Sequence, residues 1–205
     1  GVKYEAPFEF GMGLVDVPLD VPNLRVENGE AEAHTRIGWF RSVTNVPHAF
    51  AIQSFVAELA TAAGRDPKDY LLELIGPPRR ITLKLPELKT DDPWWNYGEH
   101  PETYAIDTGR LRRVTEVVAQ ASKWGRELPK GRGLGIAAHR SFVTYTAAVV
   151  AAEVDGGGRI TIPRVDIAVD CGPQINPERI RSQMEGAVIQ GVSLATVSNI
   201  TFRDG

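Results

Sequence analysis

The alternation of apolar and polar residues is clearest between positions 142 and 197, where it predicts strand, turn, strand and helix. The segment 142–154 is apolar and β-branched, and the segment 160–169 alternates apolar with polar residues. Between them, the Asp-Gly-Gly-Gly run at 155–158 supplies residues that readily adopt positive φ, which hairpin turns require. We therefore predict a β-hairpin in this region.

A helix is predicted directly after the hairpin, over residues 177–197. A turn at 171–173 separates the two, and Asn176 followed by Pro177 is typical of an N-cap and a first helical position. Every fourth residue is then apolar, which predicts a buried stripe formed by Ile180, Met184, Val188 and Val192.

The opposite face of this helix carries amides and small residues where a solvated face would carry Lys and Glu. Its members are Gln183, Gly186, Ala187, Gln190, Gly191 and Ser193. A glycine inside a helix costs about 1 kcal/mol relative to alanine, so the two glycines indicate that something approaches this face closely. Tight packing against a neighbouring element and a binding face both explain the pattern.

The first third of the chain predicts a hairpin and a helix after an irregular lead-in at 1–21. Residues 23–39 alternate around Asn28-Gly29, a common two-residue hairpin turn. A loop over 39–45 ends in the pair Thr44-Asn45, which is suited to capping a helix at 47–63 that ends at Gly64. Its predicted buried face comprises Ile52, Phe55, Val56, Leu59, Ala60 and Ala63.

Two further helices are predicted around a long irregular segment. Asp66-Pro67 begins a short helix that Gly76 stops. Residues 79–104 are rich in prolines and charges, and we interpret them as a functional excursion or as a segment that packs on a partner. The pair Trp94-Trp95 within it is interpreted as cover for a local apolar patch, with a substrate-lining role as the less favoured interpretation.

The second of these helices is capped by Asp107 or Thr108 and ends at Gly125. Its predicted buried residues are Leu111, Val114, Val117, Val118, Ala121 and Trp124. The solvated side is predicted to carry Arg110, Arg112, Arg113 and Glu116, without a functional role. Together these elements predict an α+β fold, in which β-hairpins and a mixed sheet are covered by three or four helices. We expect one domain with two lobes, 22–76 and 107–205, separated by the irregular segment 77–106.

Composition narrows the classes of function. The chain has 205 residues, 42% of them hydrophobic, and a net charge of −3, so no basic surplus indicates binding to nucleic acid. No run of about 18 apolar residues predicts a transmembrane segment. Cys171 is the only cysteine, which excludes an internal disulfide and an iron–sulfur cluster held by this chain alone. The compartment, cytoplasmic or periplasmic, stays open.

Short motifs for other chemistries are missing or fail in context. The glycine-rich run at 130–135 precedes a β-type segment, whereas a dinucleotide-binding loop opens a helix. The four histidines, His34, His48, His100 and His139, lack the spacing of a local metal motif. No Gly-x-Ser-x-Gly sequence or P-loop lysine is present. We interpret His139 as a structural, hydrogen-bonded residue, with a ligand or a base as the less favoured interpretation.

Several of these segments resemble a known family. The motifs are Val-Asp-Ile-Ala-Val-Asp-Cys-Gly at 165–172, Ile-Asn-Pro at 175–177 and Gln-Met-Glu-Gly-Ala-Val-Ile-Gln-Gly at 183–191, together with Gly-Trp-Phe-Arg-Ser-Val at 38–43 and the helix that follows it. In this order they resemble the molybdopterin-binding subunit of the xanthine dehydrogenase/aldehyde oxidase family, and above all the β subunit of isoquinoline 1-oxidoreductase. The resemblance covers most of the chain from about residue 36.

The resemblance implies which residues would contact a molybdenum cofactor, as molybdopterin or its dinucleotide form. Gln183 would lie beside the pterin or the molybdenum ligands, and the segment Phe40, Arg41 and Ser42 would approach the molybdenum. Gln190 and Ser193 are weaker candidates, since they share the helix face without a motif that defines their role. The implied reaction is oxidation of an aldehyde or an N-heteroaromatic substrate with water as the oxygen source, with electrons passing to a small [2Fe–2S] subunit.

The chain also departs from the family pattern. It lacks the family's Gly-Gln-Gly segment and the Gly-x-Gly-Glu that carries the catalytic glutamate, which is expected beyond Gly205. The sequence therefore predicts a fragment of a larger subunit, which alone binds no cofactor tightly and is inactive. The alternative is a non-catalytic scaffold or assembly module, whose small-residue helix face binds a protein partner.

Overall fold

The computed structural model describes residues 11–27, 38–82 and 96–203, and its fold is α+β, as predicted. The helices are α1 (Asn45–Ala62), α2 (Pro67–Ile75), α3 (Thr108–Ala121) and α4 (Pro177–Thr196). The strands are β1 (Arg80–Ile81), β2 (Ile106–Asp107), β3 (Arg132–Ser141), β4 (Thr144–Val154) and β5 (Ile160–Asp170). A turn at Gly11–Val15 precedes α1.

The principal sheet is antiparallel in the order β3-β4-β5, and the predicted hairpin is confirmed as β4 and β5. Asp155 organises its turn, because its Oδ1 accepts hydrogen bonds from Gly157 N at 2.8 Å and Arg159 N at 2.9 Å. The prediction that the first strand begins at Phe142 is wrong. Phe142 and Val143 have φ of 47° and 55° and form the two-residue turn that joins β3 to β4.

The core lies between this sheet and the helices. Leu111, Val114 and Val118 of α3 form a buried cluster with the sheet residues Tyr145, Ala147 and Val149. Val56 of α1 and Leu71 and Ile75 of α2 belong to the same cluster. Both predicted lobes contribute to this core, and the lobe boundary at 77–106 stays a prediction.

The predicted buried face of α1 is too broad. The helix begins at Asn45, and Thr44 before it makes no side-chain capping bond. Val56 and Ala60 are buried, but Phe55 is 59% exposed and Leu59 is 37% exposed. Contacts with α2, β3 and the Gly11–Val15 turn cover only a narrow face of α1, and the rest of its apolar stripe is open. Gly64 follows the helix with φ of 63°, as predicted for a C′ glycine.

The flanks of α3 also differ from the prediction. Val117 and Ala121 are exposed, whereas two of the arginines assigned to solvent make defined contacts. Arg110 pairs with both carboxylate oxygens of Asp170, and Arg112 Nη1 donates to the carbonyls of Leu72 and Gly76. The end of β5 and the end of α2 border α3, so side chains on its flanks meet polar groups rather than water. Asp107 caps the helix, since its Oδ1 accepts from Arg110 N at 3.1 Å.

Some predictions concern residues that the structure does not describe. Residues 28–37, which hold the Asn28-Gly29 turn, and residues 83–95, which hold Trp94 and Trp95, lie outside the described residues. Leu24 and Val26, predicted to lie in a strand, are in irregular chain. Within the described ranges, no helix combines the length and apolarity needed to span a membrane.

Candidate functional site

Helix α4 is the least covered element of the structure. Asn176 caps it as predicted, with Oδ1 accepting from Arg179 N at 3.1 Å. The stripe of Ile180, Met184, Val188 and Val192 was predicted to be buried, and this prediction is wrong. All four residues are only half-buried, and no residue of α4 is buried. The reason is that α4 has few packing contacts with the other described elements.

The small-residue face of α4 is open. A Cβ added at Gly186 or Gly191 would meet no atom within 4 Å. Tight packing against a neighbouring element, one of the two explanations for these glycines, is therefore absent among residues 11–27, 38–82 and 96–203. The face remains accessible to a group that does not belong to the described chain.

One edge of this face forms a groove with the loop before α1. Arg41, Ser42 and Val46 line one wall, and α4 lines the other with Gln183, Gln190 and small neighbours including Gly186, Ala187 and Gly191; the groove has a volume of about 410 Å³. Arg41 Nη1 donates to Gln183 Oε1 at 3.3 Å, although the two residues are 142 positions apart. The structure thus brings together Arg41, Ser42, Gln183 and Gln190.

Two sequence-predicted candidates lie outside the groove lining. Phe40 is next to Arg41 and is 58% exposed, but its side chain does not line the groove. Ser193 is half-buried on α4, where its hydroxyl contacts the Ser198 hydroxyl at 3.3 Å.

The loop that carries Arg41 has an unusual backbone. Ser42 and Val43 have φ of 65° and 50°, a region that β-branched residues rarely adopt. Two turn hydrogen bonds close the loop, from Val43 N to Phe40 O and from Asn45 N to Ser42 O, both at 2.9 Å. Such strain persists only where the surrounding structure enforces it, and it clusters at functional sites.

The chemistry of the groove suits a polar, anionic organic cofactor. A guanidinium binds phosphate oxygens in a bidentate manner. Amide side chains both donate and accept hydrogen bonds, as the edge of a heterocycle such as a pterin requires. The small residues between Gln183 and Gly191 allow a flat group to approach the helix backbone. A volume of about 410 Å³ falls within the usual range for small-molecule sites. The residues present therefore fit a molybdopterin-type cofactor along one side.

A buried polar cluster lies behind the loop, and we call Asp16, Asn45, Tyr97, His139 and Arg140 the polar junction. Arg140 pairs with Asp16 at 3.4 Å, and both side chains are 1% exposed. Tyr97 Oη lies 3.0 Å from Asp16 Oδ2 and 3.2 Å from Asn45 Oδ1, to which His139 Nε2 donates at 2.8 Å. Sequence reasoning named Asn45 only as a capping candidate and missed Asp16, Tyr97 and Arg140, because the members of the junction come from segments distant in the chain.

Burial perturbs the titration of this junction. It raises the pKa of Asp16 to about 6, since the cost of desolvating the carboxylate outweighs the charge of Arg140. It lowers the pKa of His139 to about 4, helped by the nearby charges of His48 and Arg140. The prediction that His139 is hydrogen-bonded is confirmed, and its structural role stays a prediction.

Two histidines that are distant in the sequence, His48 and His139, interact electrostatically in the fold. His48 Nδ1 donates to Met12 O at 2.8 Å, and its charge is felt at His139. Among the residues that the structure describes, no group of three or more His, Cys, Asp or Glu side chains could hold a metal ion.

Comparison with known proteins identifies related sequences along almost the whole chain. One subunit of the nicotinate dehydrogenase of Pseudomonas putida is 31% identical over 97% of the chain. A membrane-bound aldehyde dehydrogenase of Gluconacetobacter polyoxogenes, named as pyrroloquinoline-quinone dependent, is 28% identical over 88% of it. The β subunit of isoquinoline 1-oxidoreductase from Brevundimonas diminuta is 26% identical over 92% of it.

These relatives are much longer, and the chain spans 16%, 22% and 21% of their respective lengths. The family model for the molybdopterin cofactor-binding domain matches residues 102–205, just over half of the chain. That match includes β3, β4, β5 and α4, and so the helical wall of the groove. The chain belongs to the molybdopterin cofactor-binding domain family.

Proposed function

We propose that the chain supplies one side of the molybdenum cofactor site in a molybdopterin-dependent oxidoreductase. The observation that carries this proposal is the groove in which Arg41 contacts Gln183 across 142 positions of sequence. The groove of this chain is lined by one cation, two amides, two hydroxyls and small residues, together with a few apolar side chains. The chain belongs to a family whose model describes molybdopterin binding.

Each groove residue has a role in the proposed site. Arg41 pairs with an anionic oxygen of the cofactor, for which its planar guanidinium is suited. Gln183 accepts from Arg41 through Oε1, and no hydrogen bond to its Nε2 occurs among the described residues, so that the amide can donate to the pterin. Gln190 lies on the same wall as a further donor and acceptor. Ser42 and the flanking Phe40 bring the loop backbone close to the cofactor.

The bound cofactor would supply the two-electron chemistry that oxidises the substrate with water as the oxygen source. We assign no catalytic residue within the chain and propose that the catalytic glutamate belongs to another part of the complete subunit. The residues of this chain bind and orient the cofactor. Electrons would then leave through a separate subunit that carries a [2Fe–2S] cluster.

The names of the relatives support a substrate class. Nicotinate dehydrogenase and isoquinoline 1-oxidoreductase are named for N-heteroaromatic compounds, and the third relative is named for aldehydes. We propose that the complete subunit oxidises an N-heteroaromatic compound or an aldehyde, with molybdopterin as such or in a dinucleotide form.

A second candidate function is a non-catalytic scaffold that binds a protein partner through α4. Ile189 on this helix is 72% exposed, and Ile200 beyond it is 80% exposed, which favours a covering surface of some kind. The scaffold requires no cofactor, so cofactor content separates the two functions.

The test is the composition of the complete subunit purified from its native host. Molybdenum, pterin and pyrroloquinoline quinone are measured per polypeptide. The proposal predicts molybdenum and pterin in near-equimolar amounts. Absence of both would support the scaffold, and pyrroloquinoline quinone in their place would assign the groove to a different cofactor.

The 205-residue chain by itself is predicted to fold without retaining molybdopterin tightly or oxidising substrate. One wall of a site leaves the cofactor's remaining polar groups without partners, which lowers affinity. A missing general base typically lowers the rate by a factor of about 10²–10⁴. Turnover of a dye-linked aldehyde or N-heterocycle assay by this chain would contradict the prediction and would require a base within it.

A further inference from the structure

In the polar junction, a single hydroxyl proton lies between two oxygen atoms. Tyr97 Oη is 3.0 Å from Asp16 Oδ2 and 3.2 Å from Asn45 Oδ1. A phenol carries only one proton, so Tyr97 makes a full hydrogen bond to only one of these oxygens at a time. The direction in which Tyr97 donates therefore depends on the states of Asp16 and Asn45.

The carboxyl group of Asp16 decides this direction. Its Oδ1 accepts from Gly13 N at 2.6 Å, whereas its Oδ2 faces Tyr97 and lies 3.4 Å from Arg140 Nη1. An ionised Asp16 only accepts, and it attracts the Tyr97 proton more strongly than a neutral amide does. A protonated Asp16 carries its proton on Oδ2, because Gly13 N already donates to Oδ1. Asp16 then donates to Tyr97 Oη, and Tyr97 donates to Asn45.

Asn45 connects Tyr97 to His139. Its Oδ1 accepts from His139 Nε2 at 2.8 Å, and its Nδ2 has no hydrogen-bond partner among the described residues. This orientation suits a protonated Asp16, because Oδ1 then accepts from both Tyr97 and His139. When Asp16 is ionised, a lone pair of Tyr97 Oη faces Oδ1, and Nδ2 is unpaired in a residue that is 2% exposed. A half-turn of the amide corrects both, since Nδ2 then donates to Tyr97 Oη and to His139 Nε2.

The amide of Asn45 has to reverse in place, because its surroundings are closely packed. A Cβ at Gly13 would meet Asn45 Oδ1 at 2.8 Å and the His139 ring at 3.0 Å. In the reversed orientation, His139 accepts through Nε2 and carries its single ring proton on Nδ1. Each neutral tautomer of His139 thus belongs to one orientation of the Asn45 amide.

The charged and titratable groups of the junction allow Asp16 to titrate while the others keep their charge. Burial raises the pKa of Asp16 to about 6, against the opposing effect of Arg140 on β3. Burial lowers the pKa of His139 to about 4, together with His48 on α1 and Arg140. Burial also raises the pKa of Tyr97, which therefore keeps its proton. Protonation of Asp16 can be detected at His139 without a change in the charge of the imidazole.

We propose that Asp16, Tyr97, Asn45 and His139 form a proton-sensitive hydrogen-bond chain, in which a proton on Asp16 reverses the Asn45 amide and moves the ring proton of His139 from Nδ1 to Nε2. Asp16 takes its proton from solvent, Tyr97 turns its one proton from Asp16 to Asn45, and the imidazole keeps one proton by exchange with solvent. His139 lines a groove of about 440 Å³ between α1 and the sheet, so its tautomer decides whether Nδ1 of this groove-lining ring donates or accepts. This hydrogen-bond chain does not depend on the proposed function.

The experiment measures the ring nitrogen chemical shifts of His139 by nuclear magnetic resonance in the 205-residue chain, from about pH 8 to about pH 5, because these shifts distinguish the two neutral tautomers. Tyr97→Phe interrupts the hydrogen-bond chain but keeps the ring that packs against Phe142. Asp16→Asn supplies an amide donor to Tyr97 at every pH. His48 is the internal control, because Met12 O accepts from its Nδ1 at 2.8 Å and holds a proton there.

We expect the ratio of the Nε2–H to the Nδ1–H tautomer of His139 to rise by about tenfold as pH falls, the scale of one buried hydrogen bond. The midpoint should coincide with the pKa of Asp16 at about 6. Asp16→Asn should hold the Nε2–H tautomer at every pH, and Tyr97→Phe should make the ratio independent of pH.

A constant tautomer ratio in the wild type would overturn the proposal, and so would a change in ratio that persists in either variant. Loss of the proton from His48 Nδ1 in parallel with the change at His139 would also overturn it, since the whole region would then rearrange. The two variants act on different members of the hydrogen-bond chain, so misfolding of one leaves the other as the test.

Discussion

The polar junction and helix α4 both adjoin the Arg41 loop, and they differ in how their polar groups are paired. In the junction, Asp16 and Arg140 are almost completely buried and bind each other and their neighbours. In α4, no residue is buried, and the amide of Gln183 meets one side chain across an open groove. Asn45 Nδ2 and Arg140 Nε in the junction have no hydrogen-bond partner among the described residues, but the charges of Asp16 and Arg140 are paired there. The polar groups of α4 instead face an open groove.

The comparison indicates what each region is for. A buried ion pair fixes geometry, because any displacement leaves a charge without a partner in a medium of low dielectric. The two glycines on the open face of α4 lower the stability of the helix, and neither allows closer packing among the described residues. We interpret the junction as the support of the loop wall of the groove, and the face of α4 as the wall that a cofactor covers.

The largest expected effect comes from breaking the junction. Arg140→Met should destabilise the chain by about 3–5 kcal/mol, because it leaves Asp16 buried without its cation. Arg132→Met is the matched control, since its pair with Glu153 is about half exposed and should cost less than about 1 kcal/mol. Urea denaturation of both variants measures the difference. Equal effects would show that burial does not distinguish the two pairs.

A second contrast compares the core with α4. Leu111→Ala should cost about 2–5 kcal/mol, because Leu111 is 2% exposed against the sheet. Met184→Ala should cost less than about 1.5 kcal/mol in the 205-residue chain, because Met184 is only half-buried. The same denaturation measurement applies. A cost of several kcal/mol at Met184 would mean that α4 packs more closely than the structure shows.

The third prediction concerns pH and the two titrating groups of the junction. The pKa of His139 is lowered to about 4, so the unfolded chain takes up this proton first as pH falls from about 6.5, and stability decreases. The pKa of Asp16 is raised to about 6, so the folded chain takes up this proton first, and stability increases as pH falls from about 6 to 3.8. The two effects oppose each other over most of this range.

Replacing one of the two side chains should therefore reveal the effect of the other on the pH dependence of stability. His139→Gln should lose less stability than the wild type between pH 6.5 and 4, by on the order of 2 kcal/mol. Asp16→Asn should lose more than the wild type over the same interval. Denaturation curves at several pH values test both signs, and parallel profiles for all three proteins would contradict the assigned pKa shifts.

Sequence periodicity predicted the elements with local signals well. The β4–β5 hairpin follows from alternation and the Asp155 turn, and the N-caps at Asp107 and Asn176 follow from residue type. The errors concern which face of a helix is covered. Phe55 of α1 and Val117 of α3 fit a helical stripe, yet both are exposed, because periodicity does not specify how wide the covering layer is.

The candidate site likewise has features that the sequence predicted and features that only the structure shows. The sequence pattern singled out the small-residue face of α4, and the family resemblance added the Arg41 segment, but their contact across 142 positions required the folded chain. The sequence singled out Asn45 only as a capping candidate and His139 only as a hydrogen-bonded residue, and their meeting in the polar junction had no sequence signal, because Asp16 and Tyr97 lie in irregular segments. Ion pairs between segments that are distant in the sequence produce no periodic pattern of apolar and polar residues.

The central claim is that the groove between Arg41 and α4 holds molybdopterin, and Gln183→Ala in the complete subunit tests it most directly. Gln183 is exposed, so its loss should change the free energy of unfolding by less than about 0.5 kcal/mol. Gln120→Ala, at an exposed glutamine of α3, is the matched control. We predict that Gln183→Ala loses most of its pterin and molybdenum, whereas the cofactor-free forms of the two variants unfold at the same temperature. Full pterin content and activity in Gln183→Ala, equal to those of Gln120→Ala, would contradict the account.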